Sequence, residues 1–175
     1  MTSNWALPTS IIQYAETGAE DFHVSWIEVN NFYGLKHQDA RGVQTSRDLL
    51  HIAKQPSHDL VEKTYYLKLS GFNFLNLPRS TVSGIEVRLS MQRHGRITDD
   101  TIQLVKSNQL VGDNHATLNL DPVKVYGSAT DNWNSTVSIP DLENGNFAVV
   151  IRFKSHPNWP HKTSAMVDAV EIRIH

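Results

Sequence analysis

Ile85-Glu86-Val87-Arg88-Leu89-Ser90-Met91-Gln92 alternates apolar and polar residues at every step. Side chains of an extended strand point to opposite faces in turn, so this stretch buries Ile85, Val87, Leu89 and Met91 and wets the others. The same period returns at Phe147, Val149, Ile151 and Phe153, and again at Val170, Ile172 and Ile174. Three such strands in the second half predict an all-β protein, an antiparallel β-sandwich of jelly-roll-like character.

Working outward from Ile85, Tyr65, Leu67 and Leu69 alternate with Tyr66, Lys68 and Ser70 and predict a strand that stops near Gly71. Turns are expected after Arg93, around Gly95, and at Gly112 with Asn114, and they bracket a strand through Ile102 and Leu104. Val123 and Val125 read as a short strand leading into the loop Tyr126 to Asn134, and Pro140 to Gly145 reads as one helical turn. The sandwich is therefore expected over residues 64–175.

The first 63 residues alternate poorly. Phe22 to Asn30 predicts one strand with a bulge near Trp26, where the apolar parity slips. Thr45 or Ser46 is placed to cap a short helix over Arg47 to Lys54, ended by Pro56. The stretch before Phe22 reads as an extended arm lying on the sandwich or on a neighbour, and its Trp5, Leu7, Ile11 and Ile12 are apolar enough to want a partner surface. These residues are the candidate assembly arm.

Sixteen Lys and Arg against eighteen Asp and Glu give a net charge of −2, which argues against a nucleic-acid groove or an anionic membrane as the main partner. With no cysteine there is no disulfide framework, thiolate metal site or cysteine nucleophile. The first thirty residues lack the basic and apolar regions of a signal peptide, and no apolar run approaches a membrane span. Cytosolic synthesis is the corresponding expectation.

Candidate chemistry is sparse. The loop with Tyr126, Asp131 and Trp133, joined by Trp159 on a later loop, has the aromatic and polar groups that a sugar-binding loop uses. The competing reading is a tight turn in which Gly127 takes a special backbone angle, Asp131 caps and Trp133 plugs the core. Nine histidines raise the question of a metal, but His156 with His161 and His51 with His58 miss the usual ligand spacings, so no metal or cofactor is expected. Asp99 and Asp100 are adjacent, so on a strand they face opposite ways; they are expected in the turn after Gly95. Asp168 shares the parity of Val170 and Ile172, which places it on the inner face or rim with a hydrogen-bonding partner. No nucleophile elbow or phosphate loop occurs, and no enzyme is expected.

Several phrases in order carry a resemblance: Ser83-Gly84-Ile85-Glu86-Val87, Asp99-Asp100-Thr101-Ile102-Gln103-Leu104, Val111-Gly112-Asp113-Asn114, Val125-Tyr126-Gly127 with Asp131-Asn132-Trp133, Asn146-Phe147-Ala148-Val149, and Val167-Asp168-Ala169-Val170-Glu171-Ile172. From about Leu67 to the C-terminus, with an echo in Trp5-Ala6-Leu7-Pro8, the chain resembles a β-sandwich domain family of tailed-bacteriophage virion proteins. The family pattern has a glycine pair after the Tyr and Leu and Gly around the Trp, whereas here Ser128 follows Gly127 and Asn132 and Asn134 flank Trp133. The resemblance implies a non-enzymatic virion component, homo-oligomeric and docked on other virion proteins, in a capsid decoration, neck, collar, tail or baseplate. The alternative expectation is a carbohydrate-binding module that contacts a surface glycan in host attachment.

Overall fold

The computed structural model describes residues 2–15, 23–24, 51–52, 63–118, 121–155 and 163–175. Its elements in chain order are β1 (Ser10–Tyr14), β2 (His23–Val24), β3 (His51–Ile52), β4 (Lys63–Thr64), β5 (Tyr66–Ser70), β6 (Ile85–His94), β7 (Ile97–Lys106), β8 (Gln109–Val111), β9 (Val123–Gly127), α1 (Ile139–Glu143), β10 (Phe147–Ser155) and β11 (Thr163–Ile174). They form two sheets, and the pairing is antiparallel except where β2 lies parallel to β4. In the larger sheet β10 is central: β7 runs along one side of it, and β5 and then β4 along the other. Beyond these, β1 adds to β5 and β8 to β7. The smaller sheet has the order β3-β11-β6-β9.

The alternating residues do what their period dictates. Ile85, Val87, Leu89 and Met91 from β6, Val170, Ile172 and Ile174 from β11, and Leu67, Leu69, Ile102, Leu104, Val149 and Ile151 from the larger sheet belong to one buried cluster. Strand β10 goes further, since every residue from Phe147 to Phe153 is buried. Its other face, Ala148 and Val150, forms a second cluster with Tyr66 and Val105. Turn chemistry closes the ladders: Ser107 and Asn108 both take left-handed φ, +49° and +66°, which suits the two-residue connection between β7 and β8.

Of the two surfaces expected for the N-terminal arm, its own fold and a neighbour, residues 3–14 take the first. Ser3 N–H donates to Ile174 O at 2.8 Å, Ala6 and Ile172 exchange a pair of bonds at 2.8 and 3.0 Å, and Thr9 N–H reaches Ser70 O at 3.0 Å. Ser3 and Ala6 thus bond to the smaller sheet, whereas the Thr9 bond is already to the larger one, where β1 pairs with β5 from Ser10↔Ser70 to Tyr14↔Tyr66. Ile11 is buried in the main core, Leu7 is half-buried, and Ile12 faces outward at 52% exposure. Strands β1, β2 and β3 all lie before residue 63 and pair with β5, β4 and β11 of the later chain. The pairing of β1 satisfies an edge that the later strands leave open, and that reward is long-range and invisible in local pattern.

The helix expected over Arg47 to Lys54 is contradicted at its centre, where His51 and Ile52 are extended and pair with Ser164 and Thr163. Pairing with a neighbouring strand outweighs a weak helical preference. The rest of that span and the bulge near Trp26 lie outside the described residues. The helical turn near Pro140 is present as α1.

Candidate functional site

Three residues of the expected ligand loop come together, but around a buried tryptophan. Trp133 is 0% exposed and Tyr126 is 3% exposed. The Trp133 indole N–H donates to Ile85 O at 2.8 Å, across 48 residues of sequence. Its backbone sits at φ +63°, a conformation held by Asp131 Oδ1, which accepts the Trp133 N–H at 2.8 Å. Asp131 O in turn accepts from Ile85 N–H, and Trp133 O accepts from Asp113 N–H at 2.7 Å. The His115 ring stacks on the indole with centroids 4.0 Å apart, and its Nε2 lies 3.6 Å from Asp131 Oδ2.

Two glycines make room for this packing. A Cβ on Gly112 would stand 2.2 Å from Trp133 O, and one on Gly127 would stand 2.2 Å from Ile85 O and 2.5 Å from the indole nitrogen. Gly127 also has φ +78°. Gly127→Ala is therefore expected to cost about 2 kcal/mol or more, through left-handed strain and the clash together. Chemical denaturation measures that loss.

Tyr126 and Trp133 thus offer no face to a sugar, and the tight-turn reading describes them. Trp159 lies outside the described residues. Of the arm residues, Trp5 packs on the outer face of the smaller sheet with the guanidinium carbons of Arg88 and Arg173 at 4.2 and 4.5 Å from its ring centre. Beneath it two cross-strand pairs are in register: Arg88 with Glu171 at 2.6 Å and Arg173 with Glu86 at 2.6 Å.

The carboxylates also differ from expectation. Asp99 and Asp100 lie within β7, not in the preceding turn. They do face opposite ways: Asp99 is fully buried and its Oδ2 accepts Thr117 N–H at 2.9 Å. Asp100 is the extra residue of a bulge, because Arg152 pairs with Thr101 and Phe153 with Asp99. On the opposite edge of β7, the side that β8 pairs, Asn114 donates to Asp100 O and accepts from Ile102 N–H, both at 3.0 Å.

At that bulge the structure assembles a charged cluster that sequence reading missed. Arg152 Nε and Nη2 both reach Asp100 Oδ2 at 2.7 Å. Lys63 Nζ lies 3.5 Å from Oδ2 and Lys154 Nζ lies 3.4 Å from Oδ1. The Arg152 guanidinium lies over the Tyr66 ring at 4.2 Å, and Tyr14 stacks on the other side of Tyr66 at 5.1 Å. This is the candidate functional site. Burial pushes the Asp100 carboxyl upward, yet Arg152, Lys63 and Lys154 together hold it below the usual range.

Two further carboxyls are lowered in the same way. Burial raises Glu86, but His175 and Arg173 more than offset it; burial raises Asp141, but Ser138 and Lys106 more than offset it. A lowered folded pKa stabilises above the ordinary carboxylate range, about pH 4, and that stabilisation is lost as pH falls through the lowered values. Acid unfolding followed by circular dichroism is expected to begin below about pH 4.

Asp168 has the opposite sign. It is not on the inner face: Val167 pairs with Met91 and Ala169 with Ser90, so Asp168 is the extra residue of a second bulge, and parity changes there. Burial raises its pKa, partly offset by Gln92, whose Nε2 is 3.5 Å away. Its charge therefore opposes folding at neutral pH, and protonation removes the cost. Asp168→Asn is expected to raise the melting temperature at pH 7 and to leave it unchanged below the ordinary Asp value of about 3.9. Equal shifts at both pH values would remove this reading.

Among the described residues no group of three or more His, Cys, Asp or Glu is arranged to hold a metal. No helix among them is long and apolar enough to cross a membrane. No family model, curated protein or solved structure matches the chain.

Proposed function

We propose that this chain is a non-enzymatic structural component of a tailed-phage virion, a jelly-roll-like sandwich that forms a homo-oligomer and docks on other virion proteins. The observation that carries the proposal is where the phrases of the resemblance fall in space. Ile85, Gly112 with Asp113, and Gly127 with Asp131 and Trp133 come from three of these phrases and meet at one residue, Trp133, through its backbone and its buried indole. A resemblance distributed in this way is a resemblance of scaffold, and it speaks for a shared architecture over a shared ligand.

The glycan-binding alternative has lost support, since the two described aromatic residues of its loop are buried. Exposed Ile12 and Tyr14 on β1 instead supply apolar surface of the kind that subunits cover on assembly. Mass spectrometry of gradient-purified particles tests the proposal: the chain is expected in the particles, and its absence rejects the virion assignment.

A further inference from the structure

The smaller sheet ends on β3, which is two residues long, and at its other side on β9. The pairing with β6 decides where the backbone groups of β9 point. Met91 N–H donates to Pro122 O at 2.8 Å, one step before the ladder that runs from Val123↔Ser90 to Gly127↔Glu86. Opposed residues of an antiparallel pair alternate between those that exchange bonds and those that do not. Lys124 and Tyr126 therefore bond to β6, while Val123 and Val125 turn their N–H and C=O to the open edge. Ile85 fits this sense, since its N–H and O face the β9 side and meet Asp131 O and the Trp133 indole. Among the described residues nothing bonds to the outward groups of Val123 and Val125, whose side chains are 56% and 41% exposed. Such edges are ordinarily guarded by a lysine, a proline or a bulge. Here the Lys124 ammonium turns back to Thr117 Oγ1 at 2.6 Å, Pro122 stands before the strand, and the ladder has no register shift.

We infer that β9 is a dimer seam, at which a second copy of this chain adds its own β9 antiparallel about a two-fold axis at Val125. The strand's own sequence selects the occupant. Outward groups meet outward groups only when the axis falls on a residue. With Val125 on the axis it lies opposite itself and exchanges two bonds, and Gly127 N–H faces Val123 O on either side. Lys124 then lies opposite Tyr126, a ring type its ammonium already faces within one chain at 5.5 Å. An axis on Lys124 would instead set two lysines opposite each other, which weakens a sheet. On the outer face Val123 and Val125 of both copies become direct or diagonal neighbours, so the exposed apolar surface of the edge is covered. The product is an isologous dimer with one continuous sheet, four strands from each copy. This gives the homo-oligomer proposed above its interface and rests on that reading, but it is tested on the purified chain alone.

The test is sedimentation velocity of the full chain over a concentration series, with Val125→Lys and Val125→Pro beside the parent. The parent is expected to form a dimer, and both variants to associate at least about tenfold more weakly. Val125→Lys places like charges on the axis, and Val125→Pro removes an N–H that the chain itself does not use, a change that an edge strand tolerates. Circular dichroism checks that each variant is folded, and if the proline variant is not, the lysine variant decides alone. Because the chain has no cysteine, single cysteines read the register. Val125→Cys is expected to give a disulfide-linked dimer on mild oxidation, whereas the more exposed Val123→Cys, opposite Gly127, is not. A dimer that the folded variants retain, or linkage at Val123 as fast as at Val125, overturns the inference. A parent that stays monomeric up to about 1 mM also overturns it and leaves the edge to a strand of a different protein. A dimer with this register in a chain absent from purified particles rejects the virion assignment alone.

Discussion

Deleting residues 1–14 is expected to leave a chain that does not fold stably. The segment staples the two sheets together: Ser3 and Ala6 bond to the last residues of β11, and β1 completes the ladder of β5. Burying a side chain the size of Ile11 contributes about 1.5–3 kcal/mol, and each backbone hydrogen bond about 0.5–1.5 kcal/mol net. Four bonds from Ser3, Ala6, Ile172 and Thr9, together with the β1 ladder, bring the loss into the range of a whole domain's stability, about 5–15 kcal/mol. The deletion would also bare the edge of β5, a template for aggregation. Circular dichroism melts and light scattering of residues 15–175 measure the outcome, and a cooperative melt near that of the full chain would refute it. Two single changes divide the effect: Ile11→Ala is expected to cost about 2–5 kcal/mol, and exposed Ile12→Ala less than about 0.5 kcal/mol.

That expectation reverses what the N-terminal sequence suggests, and the reason is physical. A strand of five residues containing Ile11 and Ile12 in succession carries no clear period, so the face that β1 buries is set by its register against β5. Where alternation is long, as in β6, buried positions were legible residue by residue. In β10 the alternating reading captured one face only. The unbroken run Phe147-Ala148-Val149-Val150-Ile151 is the mark of a strand covered on both sides.

The bulges show the same limit. Apolar parity in β11 is odd through Ala165 and Val167 and even from Val170 onward, a slip that marks Asp168 as the extra residue. That signal was present in the sequence. The bulge at Asp100 left a fainter trace, a change from odd at Ile97 to even at Ile102 and Leu104 across four polar residues, and its partner Arg152 lies 52 residues away. The Lys63, Arg152 and Lys154 cluster is likewise a product of pairing, made when β4, β7 and β10 come into register. Local pattern finds elements; it does not find sites that only topology assembles.

Trp133→Ala is expected to be the most damaging single substitution in the described chain. It removes a fully buried indole, and truncating a buried Trp costs about 3–5 kcal/mol through lost contacts and the cavity left behind. It also takes the donor from Ile85 O and the stacking face from His115, at the point where Gly127 has been kept bare to admit the ring. For a domain of this size each kcal/mol lowers the melting temperature by about 2–4 °C, so a fall of roughly 6–20 °C is expected. Trp133→Phe separates packing from hydrogen bonding. It keeps much of the ring but leaves the Ile85 carbonyl without its indole donor, for about 1–3 kcal/mol. If the indole instead served a ligand, Trp133→Ala would leave the melt unchanged and remove binding. Its burial, its bond to β6 and the glycine packed against it, Gly127, all require the opposite: the loss appears in stability first, and loss of assembly follows from a scaffold that no longer holds.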